Sequence, residues 1–220
     1  LLTNGLMHSN PLVLLATLRS LLAALARVRR ALDVGVSKSC DVVELRQHLQ
    51  RCLPEMNTLL LIWQKIIVDD DGMFATQHDH ADEAPILATL GLAANGFHPY
   101  MVFSSWCEVV EAYVEVIPES MLDSKFDWSK LLAAVSLPYL SCKQGVCAPD
   151  GITRRLLSCL TCVDTVMRCS GRLEPVNMAK SELTWVELML QVSISKIQEQ
   201  SQQCGASISA KCASVLRGYF

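Results

Sequence analysis

Five cysteines between positions 142 and 169 are the densest set of potentially reactive side chains in this sequence. Cys159-Leu160-Thr161-Cys162 sets two thiols one helical turn apart, Cys169 follows, and Cys142 and Cys147 precede them. Thiolates at such spacings ligate zinc or exchange disulfides. Leu156, Leu157, Leu160, Val163 and Val166, however, make the window an apolar helix. A redox Cys-x-x-Cys belongs instead at a helix N-terminus after a strand, where the thiolate is stabilised. Buried, reduced core thiols are the expectation, since a free cysteine serves most often as a small hydrophobe.

His78-Asp79-His80, with Asp82 and Glu83, is the other candidate cluster. Imidazole and carboxylate are competent ligands for zinc and other divalent ions. Two histidines separated by one residue converge on a metal only from a strand or loop, and no His-x-x-x-His pair or distant cysteine pair completes a set. Asp69-Asp70-Asp71-Gly72 begins like a calcium-binding loop but lacks the alternating acids and the closing glutamate. A solvated acidic loop with no metal or cofactor is expected. There is also no Gly-x-Ser-x-Gly elbow, no His-Glu-x-x-His and no phosphate-binding glycine loop, so an enzyme is not expected.

Two arginine groups have the chemistry to meet phosphates if folding brings them together: Arg27, Arg29 and Arg30, and Arg154, Arg155, Arg168 and Arg172. The first group also suits the C-terminal end of a helix, where the macrodipole favours cations. Trp63, Trp106, Trp128 and Trp185 each fall in an apolar helical pattern. They read first as anchors between helices, and secondly as partner-facing hot spots.

Helices must position all of these groups. Asn10 caps and Pro11 opens a helix whose apolar face is Leu14, Leu15, Leu18, Leu21, Leu22, Leu25, Val28 and Leu32, ending at Gly35. Arg19 within this run and Arg27, Arg29 and Arg30 at its end leave no stretch of about 18 uninterrupted apolar residues, so no membrane span is expected. Further helices are expected over 41–53 and 55–68, from Pro85 to Ala94, and from His98 to Pro118. Others should run from Asp127 to Tyr139, from Asp150 or Thr153 to Cys169, from Asn177 or Ser181 to Gln200, and from Ser207 to Leu216. The valines of the 98–118 window also suit a strand, but its length and spacing favour helix.

The expected fold is therefore all-α. Eight or nine helices pack as antiparallel pairs, in an irregular α-solenoid of HEAT/ARM-like texture or in a helical bundle. The whole chain, 1–220, reads as a single all-helical domain, and the acidic loop 69–84 as either a mobile functional segment or a subdomain joint. Composition agrees: 51% of residues are hydrophobic and 19% charged, enough apolar material for a core and too little charge for disorder. A net charge of -3 gives no overall attraction to nucleic acid or an anionic surface. The chain begins at Leu1 without an initiating methionine, and is expected to be a fragment or a processed piece.

Gly145-Val146-Cys147-Ala148-Pro149-Asp150-Gly151-Ile152-Thr153, followed by Ser170-Gly171-Arg172-Leu173-Glu174, resembles the junctions of pentatricopeptide repeats. No similar junction recurs elsewhere at that family's spacing. The resemblance implies helix pairs that bind single-stranded RNA.

The functional expectation is a non-catalytic helical scaffold or adaptor mediating protein–protein interaction as a subunit of a larger intracellular complex. Such arrays expose long surfaces between helices. The alternatives are a helical-repeat subunit of a ribonucleoprotein assembly contacting RNA, and a zinc- or redox-dependent helical protein. Cytoplasm, nucleus and organelle matrix are equally open as compartments.

Overall fold

A computed structural model of the chain describes residues 2–37, 42–73, 100–122, 126–141, 150–170, 185–197 and 203–219. These residues are helical throughout apart from short turns. The helices are α1 (Leu2–Leu6), α2 (Pro11–Ser37), α3 (Val42–Cys52), α4 (Met56–Met73), α5 (Tyr100–Val116), α6 (Glu119–Leu122), α7 (Trp128–Ser141), α8 (Asp150–Ser170), α9 (Trp185–Ile197) and α10 (Gln203–Tyr219). The all-α expectation is met.

Local sequence explains several ends. The Asn10 side chain accepts the Leu12 amide at 2.8 Å, and Pro11 occupies the first position of α2, where its missing N–H is not needed. Asp127 caps α7, accepting the amides of Ser129 at 3.2 Å and Lys130 at 3.4 Å. Other boundaries differ from those expected. α2 runs through Gly35 to Ser37. α4 continues past Val68 to Met73, so Asp69 to Gly72 form its last turn and not the start of a loop. Aspartate disfavours a helix by only some tenths of a kcal/mol, which an established helix overrides. α7 carries Pro138 inside it and still extends to Ser141, while α10 is longer than expected at both ends. The short α1 and α6 were not anticipated. The Pro85 to Ala94 helix and the remainder of the acidic loop lie outside the described residues.

The packing has two layers. One consists of α2, α5, α8 and α10 in that spatial order; in the other, α4, α7 and α9 lie against it, with α1 beside α2 and α4. The ring of Phe126 links α4 to α7, edge-on to Trp63 at 6.0 Å and to Trp128 at 4.7 Å. Side-chain pairs give the directions. Arg19 meets Glu108 at 3.2 Å and Arg29 meets Glu115, so α2 and α5 run the same way. Tyr100 meets Arg154 at 3.2 Å and Ser104 meets Ser158 at 3.0 Å, so α5 and α8 are parallel as well. α4 runs opposite to α5: Trp106 Nε1 donates to the Leu59 carbonyl at 2.7 Å, and Tyr113 Oη donates to the Pro54 carbonyl.

Antiparallel packing thus holds for α4 on α5, whereas the interfaces α5 makes with α2 and α8 join parallel helices that are not consecutive in sequence. Parallel neighbours need a returning connection. α3 with α4 supplies it between α2 and α5, and α6 with α7 between α5 and α8. This layering is closer to the solenoid alternative than to an up-and-down bundle, without regular repeats. A single contiguous apolar cluster runs through both layers.

α5 is the centre. Ten of its 17 residues are buried, including Phe103, Trp106, Val109, Val110 and Val114. Apart from the side that carries Glu108, Glu111 and Glu115 the helix is apolar, as suits one packed between α2, α4 and α8, and burial here overrides the modest helical penalty of the valines.

By length and composition alone, the α2 segment Pro11–Val34, 24 residues long, is long and apolar enough to cross a bilayer, its most apolar stretch having a mean hydropathy of 1.7. A core helix and an N-terminal signal sequence pass the same test, and 22% of this stretch is buried. Leu14, Leu18, Leu21, Leu25 and Leu32 are buried, in a helix packed chiefly on α5. The opposite stripe of Ala16, Arg19, Ser20, Ala23, Ala26, Arg27 and Arg30 is exposed.

Candidate functional site

Burial decides how the tryptophans are used. Trp106 is 0% exposed, and its indole N–H is spent on the Leu59 carbonyl across the α4–α5 contact. Trp63 and Trp128 are also buried and share Phe126. These three join helices to each other, the first of the two readings, and Trp106 offers no surface to a partner. Trp185 is the first residue of α9, and its side chain lies outside the described residues.

The described arginines of the two groups fall on two helices. Arg27, Arg29 and Arg30 lie on α2, whereas Arg154, Arg155 and Arg168 lie on α8, with α5 between the two helices. Along α8 itself, Arg154 and Arg168 are separated by about 21 Å at ~1.5 Å per residue. Several are already engaged. Arg29 pairs with Glu115, Arg30 Nε donates to the Ala26 carbonyl at 3.2 Å, and Arg168 lies 3.5 Å from Asp164. Arg154 donates to Tyr100 Oη. Burial lowers the pKa of Arg155 from its ordinary value. Arg172 lies outside the described residues.

The Cys-x-x-Cys sits in the middle of α8, facing α5. Cys159 and Cys162 are fully buried, beside Cys107 of α5, whose thiol is hydrogen-bonded to Cys162. Burial pushes the Cys107 and Cys159 thiols well above their usual range, and it pushes Cys212 of α10 up to about 11, partly offset by a hydrogen bond with Ser193. These are thiols and not thiolates at neutral pH, hence poor nucleophiles and poor ligands. The cysteines whose state is described, Cys52, Cys107, Cys159, Cys162, Cys169 and Cys212, are free. Among the described residues no group of three His, Cys, Asp or Glu side chains is arranged to hold a metal ion. His78, His80, Asp82, Glu83, Cys142 and Cys147 lie outside the described residues.

Between the two segments that resemble pentatricopeptide junctions, α8 is one uninterrupted helix of 21 residues. Of the residues that carry the resemblance, only those in this helix fall in the part described. Gly145 to Pro149 and Gly171 to Glu174 lie outside it.

Two features were not singled out in the sequence. The first is a set of exposed apolar side chains on the second layer: Leu137 on α7 is 48% exposed, and Leu190 and Ile194 on α9 are 46% and 57% exposed, although these two helices pack on each other. Leu61 of α4 and Met7, just after α1, are exposed on the same layer. The signal was present in α9, whose apolar residues Val186, Leu188, Met189, Leu190, Val192 and Ile194 spread well beyond one face, leaving one side to Glu187 and Gln191. The second is a charged seam. Asp164, in an otherwise apolar stretch of α8, has a side chain only 8% exposed; it pairs with Lys211 at 3.3 Å and Arg168 at 3.5 Å and accepts the Ser214 hydroxyl at 2.7 Å. Nearby on α5, burial and the adjacent Glu108 and Glu115 push Glu111 up to about 7.

Compared with protein-family models, curated proteins and solved structures, the chain matches none.

Proposed function

We propose that this chain is a non-catalytic helical scaffold or adaptor acting within a larger intracellular complex, and that the outer face of its second layer binds a partner protein. The observation that carries the reading is the exposure of Leu137, Leu190 and Ile194 on two helices packed side by side. Scattered exposed apolar residues are ordinary on a protein surface. Grouped on adjacent helices of one layer, they suit recognition of an amphipathic helix or another helical face. The free cysteines are compatible with a reducing compartment. Burial of the leucine face of α2, and the pairing of Arg19 and Arg29 with α5, support reading α2 as part of the fold.

Affinity capture of the chain at near-physiological salt, with and without ribonuclease, tests the class of partner. A stoichiometric protein retained after ribonuclease is the expected result. Recovery that collapses on ribonuclease treatment would overturn the proposal and make the arginines of α2 and α8 the binding groups.

A further inference from the structure

The Asp164 carboxylate sits among the buried apolar residues Leu160, Val163, Val166 and Met167 of α8. Two of the three groups that serve it come from α10: Lys211 Nζ lies 3.3 Å from Oδ2, and Ser214 Oγ donates to Oδ1 at 2.7 Å. Lys211 and Ser214 stand one turn apart, so the two carboxylate oxygens are taken by successive turns of the same helix. The third group, Arg168 at 3.5 Å, belongs to α8 itself. The rest of the hold on α10 is slight. Among its described side chains Ile208, Cys212 and Val215 are buried and Leu216 partly so, whereas ten of the 17 residues of α5 are buried. Gly205, Ser207, Ser209, Ser214 and Gly218 weaken it as a helix, and it lies at the edge of its layer, packed on α8 and α9.

We propose that α10 is a strap that lifts from α8 and α9 while the rest of the chain stays folded, and that Asp164 is the positioning residue that admits it in one register. Lifting leaves no polar group of the cluster stranded, because water reaches Asp164, Lys211 and Ser214 together and Arg168 keeps its i+4 place beside Asp164. What resists lifting is then chiefly the small apolar stripe of Ile208, Cys212 and Val215. A buried carboxylate adds little net stability even when fully paired, since desolvation offsets the attraction, but burying it with a partner missing is strongly unfavourable. The cluster therefore selects more than it stabilises. A helix seated a turn out of register, or one without these groups, would cover Asp164 and leave its charge undercompensated. The lining of α8 and α9 beneath the strap thus takes a helix that brings an ammonium and a hydroxyl one turn apart to the carboxylate, and α10 is that helix.

Native-state amide hydrogen exchange at one pH, in low concentrations of denaturant, reads the strap directly. The amides of 207–217 should be at least about tenfold less protected than those of α5, with a weaker denaturant dependence. Lys211→Met should lower the protection of α10 by roughly tenfold to a hundredfold and leave α2 and α5 unchanged. Adding Asp164→Leu to Lys211→Met should restore it, because no charge is then buried when α10 docks. Were the cluster merely a set of stabilising contacts, the second substitution would lower protection further. Wild-type α10 as well protected as α5 overturns the strap, and so does a Lys211→Met chain that does not fold, since the loss is then not confined to α10. A double variant whose α10 is no better protected than in Lys211→Met overturns the role of Asp164. Should Asp164→Leu prevent folding, Asp164→Asn on the same background takes its place, keeping an acceptor for Ser214 without the charge, with the same two outcomes.

Discussion

Trp106 fills the α4–α5 contact with its ring and satisfies its one polar atom on the Leu59 carbonyl, so size and hydrogen bonding both fix it there. Trp106→Phe removes the donor and part of the volume, and should lower stability by about 1–3 kcal/mol in urea unfolding with an unchanged m-value. Glu111 gives a pH dependence with a definite sign. Its folded pKa of about 7 lies above the ordinary value of 4.5, so the folded chain binds more protons than the unfolded chain between those values. The contribution is fully present below pH 4.5, falls as pH rises through about 7, and then levels off. Glu111→Gln should flatten that decline in the urea midpoint, and an undiminished slope would contradict the assignment. The thiols give a third test at this scale. Cys52 and Cys169 should alkylate in the folded chain, whereas Cys107, Cys159, Cys162 and Cys212 should react only after denaturation, as counted by mass spectrometry.

Helix ends were legible where a side chain does the capping. Asn10 and Asp127 both precede their helices and both accept the amides that the first turn leaves open. Asp127→Ala should cost about 1 kcal/mol, confined in hydrogen exchange to the start of α7. α1 and α6 were not legible because five and four residues are too few to show a helical period. What holds α1 is tertiary: Leu6 is fully buried, and Gly5 lies so close to α2 that a Cβ would sit inside the Thr17 side chain. Thr17 is stiff at χ1 and donates its hydroxyl to the Val13 carbonyl, so it gives way poorly. Gly5→Ala should lift α1 from α2 and destabilise the chain by about 1–3 kcal/mol, read as a loss of protection in α1. A wild-type exchange pattern in that variant would show that the contact relaxes.

At the scale of the molecule, apolar periodicity told which face of each helix turns inward but not which helix it meets. The leucine face of α2 predicted burial correctly, yet nothing in its spacing named α5, whose paired residues lie 86 and 89 positions further along the chain and which runs parallel to it, as the neighbour. Short connections suggested antiparallel pairs, and the two layers arise instead from longer returns through α3 with α4 and α6 with α7. The same limit hid the candidate site. Leu190 and Ile194 are apolar at helical spacing, as core residues are, and the position of α9 at the edge of its layer exposes them. The partner-binding account rests on that face. It is tested most directly by the variant Leu137→Lys, Leu190→Lys, Ile194→Lys, captured beside the wild-type chain after ribonuclease treatment and compared in thermal unfolding. The account predicts an unchanged melting transition with loss of the stoichiometric partner protein. A well-folded variant that retains the partner at the wild-type level would contradict it.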